Sequence, residues 1–336
     1  MCAGRFFYVG SACLATSYPK PFLSIPQQIG LLETRGLDVG DHAAAEAVLQ
    51  QHGYYRLSGY WHPLREAEYD VAEGRVVYGE TFKSGATLQQ AIALADFDRR
   101  LRSLFLSAIE RIEVAMRVRL ALLLGPRDTY AHRDPGQFHS KFTVAADPGT
   151  GLTRFETWRD RIAVNEKRSK EQFAVHFRGK YGLPLPLWVS IEVWDFGMLS
   201  QSIGGMTVAD QKALSIPFGV IRTGVFPSWL RAINHVRNIC AHHSRLWNKS
   251  PSDQPIPPKQ GEIPLLDHLA TDSFAHVRLY AVAATMQFLL RQIDPVTASA
   301  WADDLKSHFA TFPSIVGLTV GGTGFPTAWE GKALWN

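Results

Sequence analysis

The segment RNICAHHSRLWN, residues 237–248, concentrates side chains that can transfer protons or bind anions. It holds two adjacent histidines, two arginines and a cysteine. Three kinds of site use such a set: a metal centre, a packed polar cluster, or an acid–base site acting on a charged substrate. The flanking pattern predicts a helix, so helical geometry can assign these side chains to faces.

An ideal helix over residues 229–247, at about 100° per residue, places the apolar side chains on one arc, which predicts a core face. These side chains are Trp229, Ala232, Ile233, Val236, Ile239, Cys240, Leu246 and Trp247. The opposite arc carries a polar stripe with spacings of 4, 3, 4 and 3 residues. The stripe consists of Arg231, His235, Asn238, His242 and Arg245. His243 falls in the apolar arc and is predicted to be buried, whereas His242 lies where an imidazole can meet a substrate.

A metal centre has the least support of the three, because no pair of ligands has the one-turn spacing of a helical zinc site. His235 and His242 are two turns apart, Cys240 points to the core arc, and no carboxylate lies on this helix. A structural cluster would place two arginines beside two histidines without an acid, and these charges would repel unless a phosphate or distant carboxylates compensated them. We predict an anionic ligand, no metal and no cofactor.

Arginine, asparagine and histidine provide the groups that metal-independent RNA cleavage needs. An imidazole can accept the proton of a ribose 2′-hydroxyl or protonate the leaving 5′-oxygen, and a guanidinium can neutralise the charge on the phosphoryl oxygens. One histidine cannot easily be base and acid in one concerted step, so a symmetric dimer would supply both. Arg237 lies about 140° from His242 on the ideal helix, so it would reach the site across Asn238 or across a dimer interface.

Composition sets few limits on function. The 336-residue chain is 46% hydrophobic and 20% charged, and its formal net charge of +4 is compatible with a polyanionic partner without implying one. The three cysteines, Cys2, Cys13 and Cys240, form no closely spaced set, which favours reduced thiols in the cytoplasm. No segment has about 18 uninterrupted apolar residues, so we expect no membrane partner.

The hydrophobic periodicity predicts a mostly α fold, a helical bundle with few strands. Residues 1–19 are predicted to be a disordered extension, and residues 20–85 an N-terminal helical and aromatic subdomain. Residues 86–310 are predicted to form the bundle, with a loop-rich insertion at 127–157. Residues 311–336 are predicted to form a C-terminal strap packed on the bundle.

Cap and period signals predict helices at residues 25–34, 42–52, 86–125 and 295–310. A further helix at 158–180 has seven Lys or Arg against three acids, which fits contacts to backbone phosphates or, equally, a solvated face.

Two further motifs have a structural and a functional interpretation. YYRLSGYW, residues 54–61, could stack on RNA bases, but burial in a core or an interface is favoured for so many aromatic residues. Glu110 and Glu113 on the long helix are predicted to pair with nearby arginines, or else to orient Arg237 or His243.

RNICAH, residues 237–242, resembles the R-x4-6-H motif of HEPN-superfamily ribonucleases, in which a polar residue often follows the arginine. The chain as a whole is similar to the Abi-like abortive-infection proteins of bacteria. The similar segments lie at 54–61, 97–117, 185–200, 228–248 and 324–335. The resemblance implies a HEPN-like helical bundle, a toxin-like role in phage defence, and RNA cleavage that leaves a 2′,3′-cyclic phosphate. By position, Arg237 and His242 would be the catalytic pair, with Asn238 as an orienting residue.

The main hypothesis is therefore a cytoplasmic, homodimeric endoribonuclease that acts on RNA and is controlled by a regulatory RNA or an antitoxin-like protein. His235, Arg245 and Arg231 would bind the substrate. The alternative is a non-catalytic RNA-binding or sensor module of a defence or toxin–antitoxin system. A third interpretation is a structural cluster in an unrelated helical scaffold.

Overall fold

The computed structural model describes residues 21–72 and 74–336, so the extension predicted at residues 1–19 lies outside the described residues. The described part is mostly α-helical, as predicted, with fifteen α-helices and one two-stranded sheet. No helix within these residues has both the length and the apolar composition needed to cross a membrane.

The first two helices, α1 (Ile25–Thr34) and α2 (His42–His52), lie at the predicted residues. The Asp41 carboxylate accepts the backbone N–H of Ala44 at the start of α2, and Gly53, with φ 76°, follows its end. These are the cap and stop that the sequence predicts, because a short polar side chain satisfies a free N–H and glycine tolerates positive φ.

YYRLSGYW forms α3 (Tyr54–Trp61), which buries Leu57, Tyr60 and Trp61. The predicted burial is therefore confirmed for two of the four aromatic side chains, Tyr60 and Trp61. Tyr55 is 79% exposed on the other side.

A β-hairpin follows α3, within the subdomain that the sequence predicts to be helical and aromatic. Strand β1 (Arg65–Asp70) pairs antiparallel with β2 (Arg75–Phe82). No residue of β1 is buried, and only Phe82 of β2 is. The sequence does not predict this hairpin, because Val76, Val77 and Tyr78 of β2 are consecutive and lack the alternation with polar residues that is typical of a half-buried strand.

The long helix predicted at 86–125 is α4 (Leu88–Leu124), and it is the central helix of the bundle. Thr87 and Gln90 form a capping box at its start, and Gly125 follows its last residue. Its buried positions recur at three- and four-residue spacing along the whole length, as the 3.6-residue period of an α-helix with one buried face requires.

The remaining helices complete the bundle around α4. They are α5 (Ser140–Thr143), α6 (Arg154–Arg168), α7 (Gln172–Tyr181), α8 (Leu187–Ser190), α9 (Phe196–Gly205), α10 (Val208–Ser215), α11 (Val225–Ala241), α12 (Asp267–Thr271), α13 (Ser273–His276), α14 (Leu279–Ile293) and α15 (Pro295–Ala310). Helices α4, α11 and α14 contact one another, α9 packs on both α4 and α11, and α15 packs on α4 and α14. Every residue of α14 from Leu279 to Leu290 is buried, so α14 lies innermost.

The basic helix predicted at 158–180 is divided into α6 and α7. Ser169, at the end of α6, leaves the helical conformation with ψ 132°. Arg178 of α7 donates to the carbonyl oxygens of Glu166 at 2.8 Å and Ser169 at 3.2 Å. The break is stable because this side chain satisfies carbonyls that the helix end leaves without a partner.

The C-terminal residues 311–336 contain three short 3₁₀ helices and bury Phe325, Trp329, Leu334 and Trp335. Trp335 Nε1 donates to the hydroxyl oxygen of Tyr280 at 3.3 Å, which joins this segment to α14.

Candidate active site at the end of α11

Helix α11 supplies the core face that the sequence predicts, but it ends at Ala241 rather than near residue 247. His242 is its C-cap, and His243 has φ 57°, in the left-handed region that non-glycine residues rarely adopt. The N–H of Ser244 donates to the carbonyl of Ile239 at 2.9 Å, which is a 6→1 hydrogen bond around the end of the helix. The helix thus closes in a Schellman motif, with a histidine where glycine is usual.

The early end of α11 corrects two predictions. The N–H of His243 donates to the carbonyl of Cys240 at 3.0 Å, and the side chain is exposed, so the predicted burial of His243 is wrong. Leu246 and Trp247 are buried as predicted, but they reach the core from an irregular segment and not from the helix.

Asp98 of α4 fixes the course of the chain after α11. Its carboxylate is fully buried and accepts the backbone N–H of Leu246 at 3.1 Å and of Trp247 at 2.7 Å. It also accepts the hydroxyl of Tyr60 at 2.7 Å and Nη1 of Arg102 at 2.5 Å. Burial raises the pKa of the Asp98 carboxyl and is opposed first by the Arg102 charge and then by the donated hydrogen bonds.

Two arginines tie the same segment to its neighbours. Arg102 donates to the carbonyl of Ser244 at 3.3 Å, and the Arg245 guanidinium donates to the carbonyl of Gly59 in α3. The expectation that Arg245 lies on a helical stripe with His242 is therefore wrong, because Arg245 lies beyond the helix against the backbone of α3. A role for Arg245 in substrate binding stays a prediction.

The predicted catalytic residues lie at the C-terminal end of α11. Arg237 is half-buried, and its Nη1 donates to Oδ1 of Asn238 at 3.4 Å. Asn238 and His242 are exposed, and the His242 N–H donates to the Asn238 carbonyl at 3.0 Å. The backbone of this segment is anchored while the His242 side chain faces solvent, which suits a group that must exchange protons with a large substrate.

The two predicted substrate-binding residues within α11 have different surroundings. His235 is half-buried, with its ring 3.9 Å from the Asp253 carboxylate and 3.4 Å from the Ser252 hydroxyl. The loop after the motif thus supplies the carboxylate that the helix itself lacks. Arg231 is exposed and lines a cleft that α11 shares with α6 and α9.

Sequence reasoning missed Asp98, Arg102 and Tyr60, which position the site. A signal for them existed, because Asp98 and Arg102 form an i,i+4 ion pair within the apolar stripe of α4, beside Leu101. A charged pair in a core stripe needs buried partners.

The carboxylate of Glu113 pairs with Arg117 of the same helix at 2.6 Å. This bond confirms the predicted helix salt bridge on α4.

Cys240 lies beside this site in the core. Burial raises the pKa of its thiol to about 12, so the sulfur stays protonated at neutral pH and is unsuited to act as a nucleophile. In the part of the chain that the structure describes, no three His, Cys, Asp or Glu side chains are grouped to hold a metal ion.

In a comparison with protein families, the chain matches the model of the Abi-like proteins over residues 47–248. The matched range covers more than half of the chain and contains α3, α4, α11 and the segment anchored by Asp98. This protein belongs to the Abi-like family. No curated protein and no solved structure matches the chain.

Proposed function

We propose that this Abi-like protein acts in abortive infection, a defence against phage, as a metal-independent endoribonuclease of the HEPN type. Family membership supports the role in abortive infection. The observation that carries the nuclease proposal is the exposed end of α11, where Asn238 and His242 face solvent and Arg237 lies beside them.

In the proposed reaction, a ribose 2′-oxygen attacks the adjacent phosphorus while its proton passes to the imidazole of one His242. The bond from phosphorus to the 5′-oxygen breaks, and a second, protonated His242 gives its proton to that oxygen. The products are a 2′,3′-cyclic phosphate and a 5′-hydroxyl. Arg237 neutralises the charge that develops on the phosphoryl oxygens, and Asn238 orients the Arg237 guanidinium, to which it is hydrogen-bonded.

The reaction needs two histidines in different protonation states, so we propose a cytoplasmic homodimer in which two copies of α11 meet. Arg237 and His242 would be about 140° apart around the axis of an ideal helix, which favours a site that takes groups from both copies. A regulatory RNA or an antitoxin-like protein would hold the dimer inactive before infection.

The test is incubation of the purified protein with tRNA and mRNA in EDTA, followed by mapping of the RNA ends. The expected result is 2′,3′-cyclic phosphate ends that disappear in Arg237→Ala and His242→Ala. His243→Asn is the matched control, because asparagine tolerates positive φ and removes the neighbouring imidazole. Cleavage that requires a divalent metal, or that persists in His242→Ala, contradicts the proposal.

The second candidate is a non-catalytic RNA-binding or sensor module, and the unpaired cations Lys141, Arg154 and Arg231 around one cleft favour RNA binding in their own right. In that case the parent protein binds RNA without cutting it. His242→Ala then leaves cellular toxicity unchanged, whereas the nuclease proposal expects it to abolish toxicity and retain binding.

A further inference from the structure

A cleft of about 540 Å³ opens between the insertion after α4, helix α6, helix α9 and helix α11. The charged side chains that line it are Lys141, Arg154, Arg161, Arg231 and Asp147. Four are cationic and one is acidic, so the cleft favours an anion.

The one acid offsets only part of this positive charge. The Asp147 carboxylate accepts the N–H groups of Gly149 at 2.9 Å and Thr150 at 3.0 Å, within its own turn. Arg161 pairs with Asp195 at 3.2 Å. Across residues 21–72 and 74–336, the other three cations form no salt bridge, and all three are exposed. Their charge is therefore free to bind a ligand.

The wall of the cleft also has polar atoms without partners. Ser200 is 3% exposed, and its hydroxyl has no hydrogen-bond partner among the described residues. The Nδ1 atom of His139, another lining residue, is likewise without one. Buried polar atoms are nearly always hydrogen-bonded, so the Ser200 and His139 side chains have unused hydrogen-bonding capacity in residues that line the cleft.

The cleft continues in two directions. A second cavity of about 460 Å³ adjoins it along α6 and shares Leu152, Thr157 and Arg161 with it. On the other side, the polar stripe of α11, on which His235 is half-buried, leads from Arg231 to His242, eleven residues or roughly 16 Å along the helix. Such an elongated path is longer than a nucleotide needs, and it fits a polymer.

We infer that this cleft binds the phosphates of a single RNA strand that continues along α11 to His242. The choice of RNA rests on the proposed function. Proteins that bind single strands use a positively charged groove that follows the backbone, and here the unpaired cations Arg154 and Arg231 supply that charge. The cleft therefore holds the strand a few nucleotides from the ribose at His242.

The test measures binding of a labelled single-stranded oligouridylate of about 12 nucleotides, within the usual range of site sizes. His242→Ala is present in every protein, so the RNA stays intact. The cleft variant combines Arg154→Gln with Arg231→Gln. The matched control combines Arg100→Gln with Lys212→Gln, two exposed cations outside the cleft.

The cleft variant is expected to bind about tenfold more weakly and to lower the slope of log K against log salt by about 1.4, since each lost phosphate contact contributes about 0.7. The control variant is expected to match the parent. Equal losses in the two variants overturn the inference, because they indicate only a general effect of net charge.

A plug in the cleft gives an independent test. A Cβ atom added at Gly204, which lines the cleft, meets no atom within 4 Å. Gly204→Trp is therefore expected to fill the cleft and weaken binding about tenfold with an unchanged melting temperature. Gly204→Ala, the control, is expected to bind as the parent does. Full binding by Gly204→Trp overturns the inference.

Two further measurements separate this inference from the proposed nuclease. If uridine monophosphate displaces the oligonucleotide at a concentration close to the Kd of the oligonucleotide, the cleft is a small-ligand site. The inference of a bound strand is then overturned. Cleavage is assayed separately with His242 present. If the cleft variants bind RNA weakly and the parent does not cleave RNA, the cleft inference is supported and the nuclease proposal is contradicted. If the parent cleaves RNA and the cleft variants bind it normally, the nuclease proposal is supported and the cleft inference is contradicted.

Discussion

The Asp98 carboxylate accepts the backbone N–H of Trp247 at 2.7 Å, across 149 positions of the chain. In a continued helix, the Trp247 N–H would bind the carbonyl of His243, and the Leu246 N–H that of His242. Asp98 takes both donors instead. The same carboxylate thus holds the segment that follows the Schellman turn, so α4 fixes the course of the chain after His243.

Asp98→Asn is expected to destabilise the protein by about 3–5 kcal/mol, because it leaves the buried Arg102 charge without its counter-ion. Urea unfolding measures the change. The control is Asp96→Asn, whose half-exposed pair with Arg99 contributes at most about 1 kcal/mol. Similar losses in the two variants contradict the importance of the buried network.

His243→Gly is expected to stabilise the protein by roughly 1 kcal/mol, because glycine adopts the left-handed conformation at the end of α11 without the steric cost of a Cβ. Thermal unfolding measures the gain. Ala241→Gly, two residues earlier at the last position of the helix, is expected to lose about 0.5–1 kcal/mol instead. A loss in both variants contradicts the Schellman geometry.

Mixed dimers test whether one site uses two copies of His242. Subunits with His242→Ala are exchanged into the parent protein, and cleavage is measured against the parent fraction. At equal mixing, activity is expected to fall to about a quarter if each site needs both histidines, and to about half if each subunit acts alone. A linear dependence on the parent fraction contradicts the proposed pairing of histidines.

His268 is expected to make the fold sensitive to acid. Burial lowers the pKa of this imidazole to about 4, and the neutral ring is hydrogen-bonded to the Tyr280 hydroxyl at 2.8 Å. In the unfolded chain the pKa is near 6.5, so the unfolded state binds the proton more readily between these values. The stability that the neutral His268 ring contributes is fully present above about pH 6.5. It is lost as the pH falls toward about 4, which lowers the free energy of unfolding by roughly 1–3 kcal/mol.

Urea unfolding at a series of pH values measures this loss. His268→Gln is expected to flatten the pH dependence, whereas His176→Gln, on an exposed site of α7, is expected to leave it unchanged. An unaltered slope in His268→Gln contradicts the assignment.

The helices with strong local signals follow from the sequence. The bounds of α1 and α2 are those predicted, because Asp41, Gly53 and the apolar period act over a few residues. The core face of α11 is also correct, since Trp229, Ile233 and Val236 are fully buried.

Tertiary structure decided the features on which the candidate site depends. No glycine or proline follows Ala241 to mark the end of α11. The chain turns at His243, and the Asp98 carboxylate of α4 then holds it by accepting the N–H groups of Leu246 and Trp247. The cleft likewise forms only when Lys141, Arg154 and Arg231 meet from three parts of the chain. A sequence determines the periodicity of its own helices, but contacts between distant segments determine where a helix stops and which charges share a surface.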